Sequence, residues 1–248
     1  MGLRPVSRNG RDRRRGVGYN EGTMKKIYQI GLIPFLNSCP LGHGLEDDPS
    51  LQVHRIRPSG MAARLEEGAL DVALVSSVDY LARRDRWEIV APYGIGSHGA
   101  VWTVKIFSPV PMDRIDRLIV DADSHTAINL ARVLVARAKG RAPELISREF
   151  SGPVEFREPT LLIGDKAWHA GSAEFVYDLG QAWHEQFGLP FVFAVWAAPK
   201  FELPERIRDR LATTVEDNME RLDQLAALYG PMHGFSESEA REYLGRVL

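Results

Sequence analysis

LQVHRIRPSGMAARLEEGALDVALVSSVDYLARRD, residues 51–85, decides the fold class. LQVHRIR (51–57) alternates apolar and polar side chains as a half-buried strand does. Ser59 is placed to cap GMAARLEEG, and Gly68 supplies the residue that ends a helix. DVALVS (71–76) is a short apolar run suited to a strand covered on both faces, and SVDYLARRD is helical again. Strand, helix, strand, helix in so short a span predicts an α/β protein with a parallel sheet between helices.

The pattern extends in both directions. IYQIGLIPF (27–35) reads as a buried strand ahead of the unit, and WEIVAPYGIGS (87–97) and AVWTVKIFS (100–108) as strands after it. A second cadence begins with the strand RLIVDAD (117–123) and the amphipathic helix SHTAINLARVLVARAKG, apolar at 127, 130, 131, 134, 135 and 138. TLLIG (160–164) and FVFAVWAA (191–198) are further strands, and between them FVYDLG (175–180) precedes the helix QAWHEQFG. Two helices finish the chain. One runs over 204–228 behind Pro204, and the other opens on Ser236 and Glu239 at capping-box spacing. Two cadences predict two lobes, 24–107 plus 190–248 and 108–189, with crossings near Ser108 and Pro190 and a ligand cleft between them. Ligands in such sheets meet the carboxyl ends of strands, where helix N-termini point inward.

Bulk composition narrows the function classes. A formal charge of −2 gives no electrostatic case for nucleic acid. The single cysteine, Cys39, excludes an internal disulfide and any cysteine-cluster metal site. Residues 1–23 carry six arginines against Asp12 and Glu21. No apolar stretch follows them, so they read as a disordered basic extension before a start near Met24 rather than a secretory signal. No run reaches membrane-spanning length, and a cytoplasmic location is expected. HExxH, CxxC and carboxylate-rich loops are lacking, so metal binding has no case; GIGSHG lacks dinucleotide-binding spacing.

Four blocks carry more than pattern: IGLIPFLNSCPL (30–41), EEGALDVALVSSVDYL (66–81), LLIGDKAW (161–168) and GLPFVFAVWA (188–197). Together, in order, they resemble the menaquinone biosynthetic family of the futalosine pathway, on its chorismate dehydratase branch. Pro34, Phe35, Leu36 and Asn37 match the first family block. Leu70 to Leu81 match the second, except for Ser76 where proline is common and Asp79 where glutamate is common. The resemblance implies a periplasmic-binding-protein-like (type II) fold used as a lyase. Chorismate would lose water to give 3-[(1-carboxyvinyl)oxy]benzoate, with no metal or organic cofactor and with chorismate as the small-molecule partner. The sister branch, which cleaves cyclic dehypoxanthinyl futalosine, carries a Cys-Pro-Asn-Asp-type first block where this chain has Phe35-Leu36-Asn37-Ser38.

Chorismate is a dianion, so its site must hold two carboxylates, remove one ring proton and assist one departing hydroxyl. Helix N-termini with hydroxyl side chains suit carboxylates. Three places offer them: Asn37-Ser38 after the first strand, Ser76-Ser77 after the third, and Ser124-His125-Thr126 before the long helix. Each also has a plain reading, as a turn for Asn37 and as ordinary caps for the serines. His98, beside Ser97 in GIGSHGAVW, is a candidate acid or base, though a loop histidine is often only solvated. Trp196 is a candidate cleft wall or core residue, and Asp71 and Asp165 read as structural. With neutral donors abundant and bases scarce, substrate-assisted catalysis is expected: the enolpyruvyl carboxylate takes the ring proton while the protein orients it. A non-catalytic carboxylate-binding protein and the sister cleavage reaction stand as alternatives; oligomeric state is not legible.

Overall fold

The computed structural model describes residues 26–150, 152 and 154–245; the extension expected at 1–23 lies outside the described residues. Ten strands form two five-stranded sheets. The first holds β1 (Tyr28–Leu32), β2 (Leu51–Arg55), β3 (Val72–Ser76), β4 (Trp87–Ser97) and β10 (Phe191–Pro199), in the order β2-β1-β3-β10-β4. The second holds β5 (Val104–Ser108), β6 (Arg117–Asp121), β7 (Glu144–Arg148), β8 (Thr160–Ile163) and β9 (Phe175–Asp178), in the order β7-β6-β8-β5-β9. Helices α1 (Cys39–Gly42), α2 (Pro58–Glu66) and α3 (Ser77–Leu81) follow the first three strands. Helices α4 (His125–Lys139), α5 (Asp165–Trp168) and α6 (Leu179–Phe187) follow β6, β8 and β9. The tail is α7 (Glu205–Met219), α8 (Leu222–Tyr229) and α9 (Glu237–Leu244). Among the described residues no helix is long and apolar enough to cross a membrane.

Several local expectations change for physical reasons. Both sheets are mixed rather than parallel, because β10 runs antiparallel to β3 and β4, and β5 antiparallel to β8 and β9. The first strand stops at Leu32, two residues before Pro34, and the chain tightens into a 3-10 turn over Leu36–Ser38. Helix α2 starts on Pro58, so Ser59 lies inside it and turns its Oγ to Asp123 at 3.4 Å instead of capping. Strand β5 begins only at Val104 and joins the second sheet, so the chain leaves the first sheet over 98–103, ahead of the crossing expected near Ser108. In that segment Trp102 takes a left-handed φ of 65°, and the Asp178 carboxylate accepts N–H bonds from Val101 (3.0 Å) and Trp102 (2.6 Å). The helix expected over 204–228 breaks at Arg221 (φ −128°) into α7 and α8.

That break turns the tail back over the first block. Leu36 and Cys39 are buried with Ala226, Phe235, Ala240, Tyr243 and Leu244 in a separate apolar cluster. The capping box expected at Ser236 and Glu239 forms, fixing where α9 begins. The last helix is thereby placed directly beneath the turn that carries Asn37.

Candidate active site

Walls from both sheets enclose a cavity of about 580 Å³, its open mouth included. Apolar side chains such as Ile33, Phe35, Leu74, Ile95, Ile163 and Phe193 make most of its lining. Asn37, Ser76, Thr103, Asp123, Ser124, His125 and Thr126 supply the polar groups. An apolar pocket with few converging polar groups is the usual form of a small-molecule site. Five of the residues singled out in the sequence therefore meet here: Asn37, Ser76, Ser124, His125 and Thr126.

Ser124 and Ser76 differ in what their side chains do. Ser76 accepts the Asp79 N–H at 3.1 Å, which is ordinary capping of α3. Ser124 is buried at the N-cap of the 15-residue helix α4 and makes no capping bond. The first-turn N–H groups of α4 have no partner inside the helix, and the helix dipole adds positive potential there. Asp121 builds the turn that presents them: its backbone oxygen accepts the Ser124 N–H (3.1 Å), and its buried carboxylate pairs with Lys166 (3.1 Å). The result is a ready seat for an anionic group.

His125 adds the one histidine in the cavity wall among the described residues. Its Nδ1 donates to Asp79 Oδ2 at 2.8 Å, joining α4 to α3. The hydrogen bond to Asp79 raises the His125 pKa above its ordinary value, against the opposing effect of burial. Burial pushes the Asp79 carboxyl up, but hydrogen bonds from His125 and Ser76 and the nearby Arg83 charge outweigh it, and its pKa is lowered. The pair thus favours the carboxylate form of Asp79 and the protonated form of His125. Arg83 reaches Asp79 (3.4 Å) and Glu66 (2.9 Å) and so joins this network. Neither Asp79 nor Arg83 was read in the sequence as a site residue. Ser76 and Asp79 at capping-box spacing were the available signal.

The other sequence candidates lie outside this wall. Ser38 is fully buried, and its Oγ donates to the carbonyls of Ile33 (2.5 Å) and Phe35 (2.8 Å), holding the turn that carries Asn37. Ser77 Oγ meets Thr126 Oγ1 at 3.4 Å, while Thr126 donates to the Phe193 carbonyl at 3.0 Å across the two sheets. Ser97 and His98 flank a different depression along β4, and the exposed His98 ring packs on His184 with centroids 4.4 Å apart. Trp196 is buried in the first sheet opposite Leu74 of β3.

One further cluster has a nucleophile-like composition. His233 Nδ1 bonds Asp165 Oδ2 at 2.7 Å, and His233 Nε2 lies 3.9 Å from Cys39 Sγ. Burial pushes the Cys39 thiol up to about 12, so it is no thiolate, and the cluster instead ties the tail to the first block. Among the described residues no group of three metal-ligating side chains is suited to an ion.

Gly164 sets the position of Phe35 in the wall. Its φ of 61° and ψ of −147° fall where only glycine is comfortable, and an added methyl would lie 2.8 Å from the Phe35 ring. Gly164→Ala is expected to lower stability by about 1–3 kcal/mol in denaturant unfolding. Unchanged unfolding would show that the backbone and ring relax freely there.

Against known proteins, the family profile described as menaquinone biosynthesis matches residues 28–247. A protein of Thermus thermophilus named chorismate dehydratase is 30% identical over 191 residues, covering 68% of this chain and 69% of its own. Among solved structures, a protein from Archaeoglobus fulgidus superposes with a TM-score of 0.67 at 15% identity, over 90% of this chain and 88% of the other. The periplasmic aliphatic sulphonate binding protein of Escherichia coli superposes at 0.59 and 13% identity, over 90% and 84%. The fold is that of the periplasmic binding proteins.

Proposed function

The chain belongs to the menaquinone biosynthesis family, and we propose that it dehydrates chorismate to 3-[(1-carboxyvinyl)oxy]benzoate as a cytoplasmic lyase of the futalosine route. The observation that carries this reading is the uncapped start of α4, with Ser124 facing the cavity that also holds Asn37 and His125. One substrate carboxylate sits on the first-turn N–H groups of α4. The ring hydroxyl meets Asn37. His125 Nε2 gives its proton to the departing hydroxyl, which leaves as water. The ring proton goes to the substrate's own enolpyruvyl carboxylate, and aromatisation drives the step. Proton exchange with solvent then restores His125.

Asp123 is the one carboxylate in the cavity wall among the described residues, and it is engaged by Arg57 (3.5 Å), Lys166 (3.5 Å) and Ser59. His98 has no part in this reading, because its ring lies against His184 outside the wall. His98→Ala is expected to keep turnover within about twofold of the parent; a large loss would place the acid or base there.

Separate incubations with chorismate and with cyclic dehypoxanthinyl futalosine distinguish the candidate activities. Consumption of chorismate alone supports the dehydratase, and consumption of the second compound overturns it in favour of the sister reaction. A chorismate-induced rise in melting temperature without turnover identifies a binding protein instead.

A further inference from the structure

Asp121 and Asp123, at the end of β6 and in the turn before α4, are both buried. Asp123 and the Ser124 that follows it line the cavity, so a carboxylate stands in the wall beside the start of α4. A fixed negative charge there opposes the arrival of a second one, and the seat takes an anion more readily when Asp123 is neutralised.

Two cations serve the two carboxylates. Lys166 lies 3.1 Å from Asp121 and 3.5 Å from Asp123. Asp121 is the more deeply buried of the two, and a buried charge without a partner is costly, so its pairing claims the lysine. The other cation is Arg57, 3.5 Å from Asp123 and with no other ion pair among the described residues. It stands at the N-cap of α2, which belongs with the first sheet, and Pro58 beside it also lines the cavity. Ser59 Oγ of the same helix donates to Asp123 at 3.4 Å. Both carboxylate oxygens are thus engaged, Oδ1 by Ser59 and Oδ2 by Arg57 and Lys166. Without Arg57, one lysine would serve two carboxylates and a net negative charge would remain beside the seat.

We propose that Arg57 is a positioning residue for anion binding: it reaches from α2 of the first sheet to Asp123 of the second and neutralises the carboxylate beside the seat, so that the cavity accepts a dianionic ligand. This rests on the dehydratase reading, which supplies the dianion, and extends it. Arg57 acts through Asp123 rather than on the substrate, so it changes affinity and not the chemical step.

The test measures Kd of 3-[(1-carboxyvinyl)oxy]benzoate, which keeps both carboxylates, together with KM and kcat on chorismate. Arg57→Met keeps most of the stem and removes the charge. The expected result is a rise of about fivefold in both Kd and KM, with kcat within about twofold of the parent. Arg57→Lys should stay close to the parent, and Arg57→Glu should lose more than Arg57→Met. In an Asp123→Asn background, where no charge is left to neutralise, Arg57→Met should cost little further. Asp123→Ser serves as that background if the asparagine variant fails to fold. Unchanged Kd and KM in Arg57→Met, or a fall in kcat alone, overturns the inference. An equally large loss in the Asp123→Asn background also overturns it, because Arg57 would then meet the ligand itself. A parent that binds the product yet leaves chorismate intact overturns the dehydratase reading, while the Kd series still decides the role of Arg57. A parent that binds neither compound overturns both.

Discussion

Asn37→Ala is expected to reduce turnover of chorismate by about 10²–10³-fold while the protein keeps its fold, as loss of a preorganised polar contact to a reacting group does. Asn37 makes no capping bond, and its Oδ1 has no partner among the described residues, so truncation removes little that holds the chain together. The turn itself is held by other groups. Ser38 Oγ bonds two carbonyls, and the Leu36 N–H lies 3.5 Å from the Asp165 carboxylate. Steady-state kinetics beside a thermal melt checks this. A variant that melts like the parent and turns over at the parent rate would remove Asn37 from the chemistry.

The second large effect concerns His125. Its replacement by alanine should lower kcat by about 10²-fold or more, the scale of a lost general acid. Its pH dependence has a definite sign. The hydrogen bond to Asp79 raises the His125 pKa above 6.5, so the acid form persists at higher pH than in an ordinary histidine, and activity falls as pH rises through the raised value. Asp79→Asn removes the main cause and should move that alkaline limb to lower pH. The same pairing links stability to pH. The His125 contribution is complete below 6.5 and is lost as pH rises through its raised value. The Asp79 contribution is complete above 3.8 and is lost as pH falls through its lowered value. A pH–rate profile unchanged in Asp79→Asn would show that His125 is not the titrating acid.

Most strands were legible because they are continuous apolar runs: VALVS, RLIVD and TLLI are buried nearly throughout. Strand β7 of the second sheet was not. Glu144, Arg148 and the residues between them are exposed or half-buried on an edge, with neither an apolar run nor a polar face to mark it. The reversal of β10 was equally hidden, since direction depends on where a strand re-enters the sheet and not on its composition. At the site, hydroxyl side chains before helices were readable locally. Whether such a side chain caps its helix was not: Ser76 and Ser124 occupy like positions in sequence, and only Ser76 makes the capping bond. The pairs that tune the site join distant segments. His125 meets Asp79 across 46 positions and Ser59 meets Asp123 across 64, and no local spacing encodes either.

The most direct test of the account is to incubate the purified protein with chorismate and identify products by liquid chromatography and mass spectrometry against a protein-free control. The account predicts enzyme-dependent appearance of 3-[(1-carboxyvinyl)oxy]benzoate as chorismate disappears. Chorismate left intact by folded protein, or converted to any other product, would contradict it.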